Sequence, residues 1–96
     1  LGITTSGNSP NIVKAVEACR EKNVPSIIFT GNEGGTVRRL CDVCVIAPGQ
    51  LTSQIQEVHL VLEHTLCECV EAALFNFDLD CGSSDLNQTS RPRLAA

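Results

Sequence analysis

The amino-acid sequence predicts an α/β fold, built as part of a doubly wound parallel sheet and ending in a long helix. Three observations predict it. Short apolar runs without polar alternation recur around residues 1–3, 26–30 and 43–47, as expected of strands covered on both faces. Helical periodicity lies between the first two runs, and a short helical turn lies between the second and third. The last run is followed by one continuous helical pattern from Leu51 to Phe75. Strands alternating with helices in this order imply parallel pairing through right-handed crossovers.

The elements follow in turn. Leu1-Gly2-Ile3 reads as the end of a buried strand whose beginning is absent, so the expectation is a sequence that starts in mid-fold. Thr4-Thr5-Ser6-Gly7-Asn8-Ser9 is a hydroxyl-rich turn, and Ser9-Pro10 sets an N-cap residue before a proline at the first helical position. In the helix, Ile12, Val13, Val16 and Cys19 share one face and Lys14, Glu17, Arg20, Glu21 and Lys22 the other, until Asn23 and Pro25 stop it. The run from Ser26 to Thr30 is the next strand. It ends in Gly31-Asn32-Glu33-Gly34-Gly35, a loop that demands unusual backbone angles. A short helical turn from Thr36 to Leu40 leads to the strand Val43-Cys44-Val45-Ile46-Ala47, closed by Pro48-Gly49.

On the long helix, Ile55, Val58, Leu62, Leu66, Cys69 and Ala73 form one stripe. Leu60, Val61, Cys67, Val70 and Leu74 lie off it, so the helix is apolar around most of its circumference. A second subunit is the simplest cover for its second side. Residues 78–96 turn to Asp, Ser, Gly, Asn and Pro and read as a mobile polar tail.

Composition narrows the function. The 96 residues carry 43% hydrophobic residues, enough for one small folded domain. A net charge of -4 and only three aromatic residues, all Phe, argue against binding nucleic acid or an anionic membrane. No run reaches the roughly 20 apolar residues of a membrane span, and the first residues lack signal-peptide character, so a cytoplasmic protein is expected. The six cysteines are scattered. Cys41-x-x-Cys44 with Cys67-x-Cys69 admits a four-thiolate zinc reading, yet two helical side chains two positions apart point about 200° from each other. Buried or reduced cysteines are the expectation, with a metal or redox role as the alternative.

Two features carry chemistry. At the first strand-to-helix junction, Thr4, Thr5, Ser6 and Ser9 surround a glycine, and the next helix offers unpaired N–H groups and a positive dipole end. That is an anion cradle, although a capped helix after an ordinary turn has the same composition. It contains neither a Walker loop nor a dinucleotide fingerprint, and it lacks Lys and Arg, so neutral donors would hold a phosphate. The second feature is Gln56-Glu57-Val58-His59 with Glu63-His64 downstream. His64 shares a face with Glu57 to within about 20°, which suits a proton relay or metal ligation, whereas His59 reads as a structural histidine. Gln56 and His64 are about 12 Å apart in helix rise, so one shared metal would need strain or a second chain.

These segments resemble a known family. Ile3-Thr4-Thr5-Ser6-Gly7-Asn8-Ser9-Pro10-Asn11, Thr30-Gly31-Asn32-Glu33-Gly34-Gly35 and Ile55-Gln56-Glu57-Val58-His59 with His64 are similar, in order, to the carboxyl-terminal half of a sugar isomerase (SIS) domain. The fold implied is flavodoxin-like, with residues 1–77 as that half-domain. The Gln-Glu-x-His helix narrows the resemblance to bacterial sedoheptulose 7-phosphate (phosphoheptose) isomerases. It implies a cytoplasmic enzyme interconverting sedoheptulose 7-phosphate and D-glycero-D-manno-heptose 7-phosphate, an early step toward the heptose of cell-surface glycans such as lipopolysaccharide. It also implies that Thr4, Thr5, Ser6 and Ser9 hold the sugar phosphate, that Gln56 contacts substrate, and that Gln56 and His64 are zinc ligands at a site between subunits of a homotetramer. His64 is then the catalytic residue. Ser53 stands where some members carry Asp, and the tail has no counterpart in the family. The family's amino-terminal helices, its first strand and a loop with a catalytic Glu and a further His ligand are not in this sequence, which implies a fragment or a degenerate copy, inactive in isolation.

A function of another class shares the fold: a non-catalytic phosphosugar-binding module that regulates or docks a partner, as in the DnaA initiator-associating protein. The presence of both Gln56 and His64 favours the enzyme. A response-regulator-like domain fails for want of an acidic cluster at a strand end.

Overall fold

A computed structural model of the chain describes residues 1–75; the tail at 78–96, the end of the 1–77 half-domain and Cys81 lie outside the described residues. The elements are β1 (Gly2–Ile3), α1 (Pro10–Glu21), β2 (Ile27–Thr30), a 3₁₀ turn (Thr36–Arg39), β3 (Val43–Ile46) and α2 (Thr52–Phe75). Each matches an element expected from the sequence within about a residue or two at its ends. The chain divides into two compact units, Leu1–Val61 and Leu62–Ala96, with the division falling inside α2.

In the first unit the three strands form a parallel sheet in the order β1-β2-β3. Ile3 stands opposite Phe29, and Thr30 opposite Ile46. Pairing continues past the strand ends, where the Thr4 N–H donates to the Phe29 carbonyl at 2.9 Å and the Ala47 N–H to the Thr30 carbonyl at 2.8 Å. Val16 of α1, Ile28 of β2 and Val37 of the 3₁₀ turn form the core cluster, with Ile12, Val13, Leu40 and Cys41 packed against it. The helical spacing of Ile12, Val13 and Val16 thus does what amphipathic periodicity predicts.

Four details refine or depart from expectation. Ser26 does not join β2, because its N–H and Oγ donate to Asp42 Oδ2 at 2.8 and 3.3 Å while its carbonyl accepts the N–H groups of Asp42 and Val43. The third strand is not covered on both faces: Val43 is 49% exposed and Cys44, Val45 and Ile46 are half-buried. The turn after the glycine loop is 3₁₀, with the Leu40 N–H donating to the Val37 carbonyl three residues back at 3.0 Å. Ser9 is the N-cap residue of α1 by position, but its side chain makes no capping bond. At the other end of α1, Asn23 adopts the left-handed backbone at φ 55° and the Val24 N–H closes back on the Cys19 carbonyl at 2.8 Å, so Asn23 ends the helix as read.

The expected stripe on α2 is partly realised. Ile55 is buried and Val58, Leu62 and Leu66 are half-buried, whereas Cys69 and Ala73 are exposed. Leu60, Val70 and Leu74, read as off the stripe, are also exposed.

Candidate functional site

Parallel strands deliver their carboxyl ends to one edge of a sheet, and loops there are the usual ligand sites of open α/β folds. In the first unit that edge carries two loops: residues 4–9 after β1 and residues 31–35 after β2.

The loop 4–9 is organised by its own hydroxyls. Thr4 is buried, accepts the Gly7 N–H on Oγ1 at 3.3 Å and shares a 2.7 Å hydrogen bond with Ser9 Oγ. If Thr4 is the donor in that pair, the Ser9 hydroxyl hydrogen is left for a ligand. This pairing explains why Ser9 does not cap α1. The exposed Ser6 accepts the Asn8 N–H on Oγ at 3.1 Å and likewise keeps its own hydrogen, while Thr5 is half-buried beside it. Pro10 occupies the first helical position, and no side chain caps the start of the 12-residue helix α1. The loop therefore unites Thr4, Thr5, Ser6 and Ser9 at a positive helix end, as an anion cradle requires. Thr4 is its internal brace and Ser6 its outward donor.

The second loop locks the first. Asn8 Oδ1 accepts both the N–H and the hydroxyl of Thr36 at 2.9 Å, and the Val37 N–H donates to the Gly7 carbonyl at 3.1 Å. Gly7 has φ +72°, and a Cβ there would fall on the Gly34 carbonyl. The two backbones are in direct contact at that point. Asn8 and Thr36 are 28 residues apart, so sequence reading placed Asn8 in the turn but could not see the clamp. Arg38 donates from Nη1 to the Glu33 carbonyl at 3.2 Å, so this guanidinium serves the second loop.

The start of α2 meets the same edge. Gly31 leaves room for the Ile55 side chain on one side and the Thr5 carbonyl on the other. His59 is 2% exposed, and its Nε2–H donates to the Thr30 carbonyl at 2.9 Å, the carbonyl that also accepts the Ala47 N–H. A carbonyl can only accept, which assigns the proton to Nε2. His59 Nδ1 is buried and has no hydrogen-bond partner among the described residues. The structural reading of His59 thus acquires a definite partner. Gln56, next to Ile55 in the first unit, is exposed; His64 is exposed in the second unit.

A zinc ion takes four ligands in a tetrahedral arrangement. The carboxamide oxygen of Gln56 and the imidazole of His64 are chemically suitable donors. Among the described residues no group of three or more His, Cys, Asp or Glu is placed to hold a metal.

Comparison with known proteins adds the family. The SIS domain matches residues 1–65, which include both loops and both histidines. The chain belongs to the SIS domain family. It is 49% identical over 75 residues to phosphoheptose isomerase of Aneurinibacillus thermoaerophilus, covering 78% of this chain and 38% of that protein. It is 44% identical over 81 residues to phosphoheptose isomerase 2 of Campylobacter jejuni, covering 84% and 40% respectively. Among solved structures it is similar to phosphoheptose isomerase GmhA from Neisseria gonorrhoeae, with a TM-score of 0.69 and 40% identity over 72% of this chain and 40% of that one. The chain thus spans about two fifths of the length of these relatives. The SIS fold, with its parallel α/β sheet, is the one the sequence predicted.

Proposed function

We propose that this chain is the phosphate-binding and proton-transfer half of a phosphoheptose isomerase, acting on the phosphate of a seven-carbon sugar. The observation that carries the reading is the clamped hydroxyl loop 4–9 at the carboxyl end of β1, in a chain 49% identical to a phosphoheptose isomerase. Ser6 and Ser9, with the first N–H groups of α1, donate to the phosphate, and Thr4 holds them in place. Because these donors are neutral, the phosphate is bound without a fixed counter-charge and can leave with the product.

Interconversion of ketose and aldose moves a proton between adjacent carbons. The proton leaves the carbon beside the carbonyl, an enediol forms, and a proton returns to the neighbouring carbon. His64 is the group on this chain suited to take and return it, since imidazole titrates near neutrality. Gln56 orients the sugar, and Gln56 and His64 hold zinc together with ligands from elsewhere. Zinc, when bound, polarises the substrate oxygens. We assign the protein to the cytoplasm as a homotetramer; no helix among the described residues is long and apolar enough to cross a membrane.

The test is a transplant of residues 1–75 into the matching region of the Aneurinibacillus relative. Isomerisation of sedoheptulose 7-phosphate is expected, falling about 10²- to 10⁴-fold in the His64→Asn variant, as losing a general acid–base group does. Calorimetry should show Ser6→Ala with Ser9→Ala weakening phosphosugar binding by about 1 to 3 kcal/mol. Binding without turnover, unchanged by His64→Asn, would favour the sensing module instead.

A further inference from the structure

The first two turns of α2 are held to the carboxyl edge of the sheet at three points. At the entry, Gln54 Oε1 accepts the N–H groups of Gln50 and Leu51 at 3.1 and 3.2 Å, as the third residue of a capped helix does. The Ile55 side chain is the second point. A Cβ on Gly31 would stand 2.6 Å from Ile55 Cδ1 and 2.9 Å from the Thr5 carbonyl, so α2 and the loop 4–9 are separated by little more than a glycine. The third point is the bond of 2.9 Å from His59 Nε2–H to the Thr30 carbonyl. It differs in kind from the other two. That carbonyl already accepts the Ala47 N–H at 2.8 Å, so the sheet does not need the imidazole to satisfy it. The ring is 2% exposed and its Nδ1 has no partner among the described residues, so one directional bond is what the buried imidazole contributes besides its bulk. An aliphatic side chain could fill the same volume, but it would leave the helix free to turn slightly against the edge.

We propose that His59 is the positioning residue for Gln56: its bond to the Thr30 carbonyl fixes the rotation of α2 against the loop 4–9, and so fixes where the Gln56 carboxamide stands beside that loop. The proposal rests on the reading in which the loop holds a sugar phosphate and Gln56 orients the sugar. Ile55 and His59, four residues apart, share the face turned to the sheet edge, and Gln56 lies about 60° around the helix from His59. Gln56 is exposed, so its place is set by the helix that carries it. Side chains end about 5–6 Å from a helix axis, so a rotation of about 10° moves them by about 1 Å. A displacement of that size is enough to spoil the alignment of a reacting group. The loop 4–9 does not depend on the latch in the same way. Its own hydroxyl bonds, the Asn8 clamp on Thr36 and the Val37 N–H on the Gly7 carbonyl hold it, and the Thr30 carbonyl keeps its bond to Ala47 when the imidazole is gone. His59 therefore governs recognition of the sugar and leaves recognition of the phosphate to the loop.

The test measures, by calorimetry on the full chain, the ratio of the affinities for sedoheptulose 7-phosphate and for inorganic phosphate. His59→Leu should lower this ratio about 3- to 10-fold and leave the affinity for inorganic phosphate within about 2-fold. His59→Gln, whose amide nitrogen can stand where Nε2 stands, should restore the ratio. Gln56→Ala should lower it by a similar factor, and His59→Leu added to Gln56→Ala should lower it no further, because His59 acts through Gln56. Thermal melts confirm that each variant is folded at the temperature of measurement. Should His59→Leu fail to fold, His59→Asn replaces it, since its amide is too short to reach the Thr30 carbonyl. A reduced melting temperature with an unchanged ratio would overturn the proposal and leave His59 a packing residue. So would effects of His59→Leu and Gln56→Ala that multiply in the double variant, or a His59→Gln chain as impaired as His59→Leu. An unchanged ratio in Gln56→Ala is a different failure: it removes the reading of Gln56 as the sugar contact, and the proposal falls with it.

Discussion

In the loop 4–9, polar groups are tied to partners a few residues away or to the facing loop: Thr4 to Ser9 and Gly7, Ser6 to Asn8, Asn8 to Thr36. On α2 one polar side chain, His59, is buried and anchored, while Gln56 and His64 stand exposed. A loop braced by its own bonds presents donors in fixed directions before any ligand arrives, so binding there costs little ordering entropy. The helical residues owe their placement to the backbone alone. The loop is therefore a finished polar surface, whereas Gln56 and His64 carry no such bracing.

The largest effect should come from the contact between the loops. Gly7→Ala places a methyl on the Gly34 carbonyl at a backbone angle that L-residues rarely adopt. A loss of about 3–5 kcal/mol is expected from strain and overlap together. Urea denaturation followed by circular dichroism measures it, and a loss below about 1 kcal/mol would show that the loops can part without cost.

The two histidines of α2 sharpen the contrast within one element. His59→Leu removes a donor to the Thr30 carbonyl and alters a buried volume next to Phe29, whose ring centroid lies 6.3 Å from that of His59. It should cost about 2–3 kcal/mol in stability. His64→Asn, at an exposed position, should stay within about 0.5 kcal/mol. Equal losses in thermal melts of the two variants would erase the distinction between the anchored and the exposed histidine.

The clamp comes next. Asn8→Ala deletes two hydrogen bonds to Thr36 and Thr36→Val deletes one, so losses of about 2 and about 1 kcal/mol are expected. The Asn8 variant should also weaken phosphosugar binding although Asn8 itself is no donor to the anion. Calorimetry that finds affinity unchanged would separate the clamp from the cradle.

How much of this was legible in the sequence depends on range. Periodicity placed both helices, and turn chemistry placed the two glycine-containing loops, because those signals act over a few residues. The hydroxyl loop was legible for the same reason: Thr4 through Ser9 are contiguous. Three things were not legible. The clamp of Asn8 on Thr36, the bond from His59 to Thr30 and the exposure of β3 all depend on which distant segments the topology brings together. Ser9 shows the same limit locally. Its position reads as a helix cap, but a competing hydroxyl five residues earlier claims its side chain.

The smallest effect concerns Cys41, where the comparison becomes one of protonation. Its thiol is held above the ordinary value of 9.0, chiefly by burial and then by Cys44, so the folded chain retains this proton at a pH where the unfolded chain has lost it. Where the native state binds more protons, stability falls as pH rises. The contribution is fully present below the unfolded thiol's pKa, declines from about pH 9 upward and levels off above the folded value. Under reducing conditions, Cys41→Ser should therefore flatten the alkaline limb of the stability curve while barely changing it near neutrality. A series of urea midpoints from about pH 7 to pH 10 reads this difference directly. Parallel curves for the two chains would mean that the Cys41 proton is held equally in both states, and that burial and Cys44 exert no net pull on it.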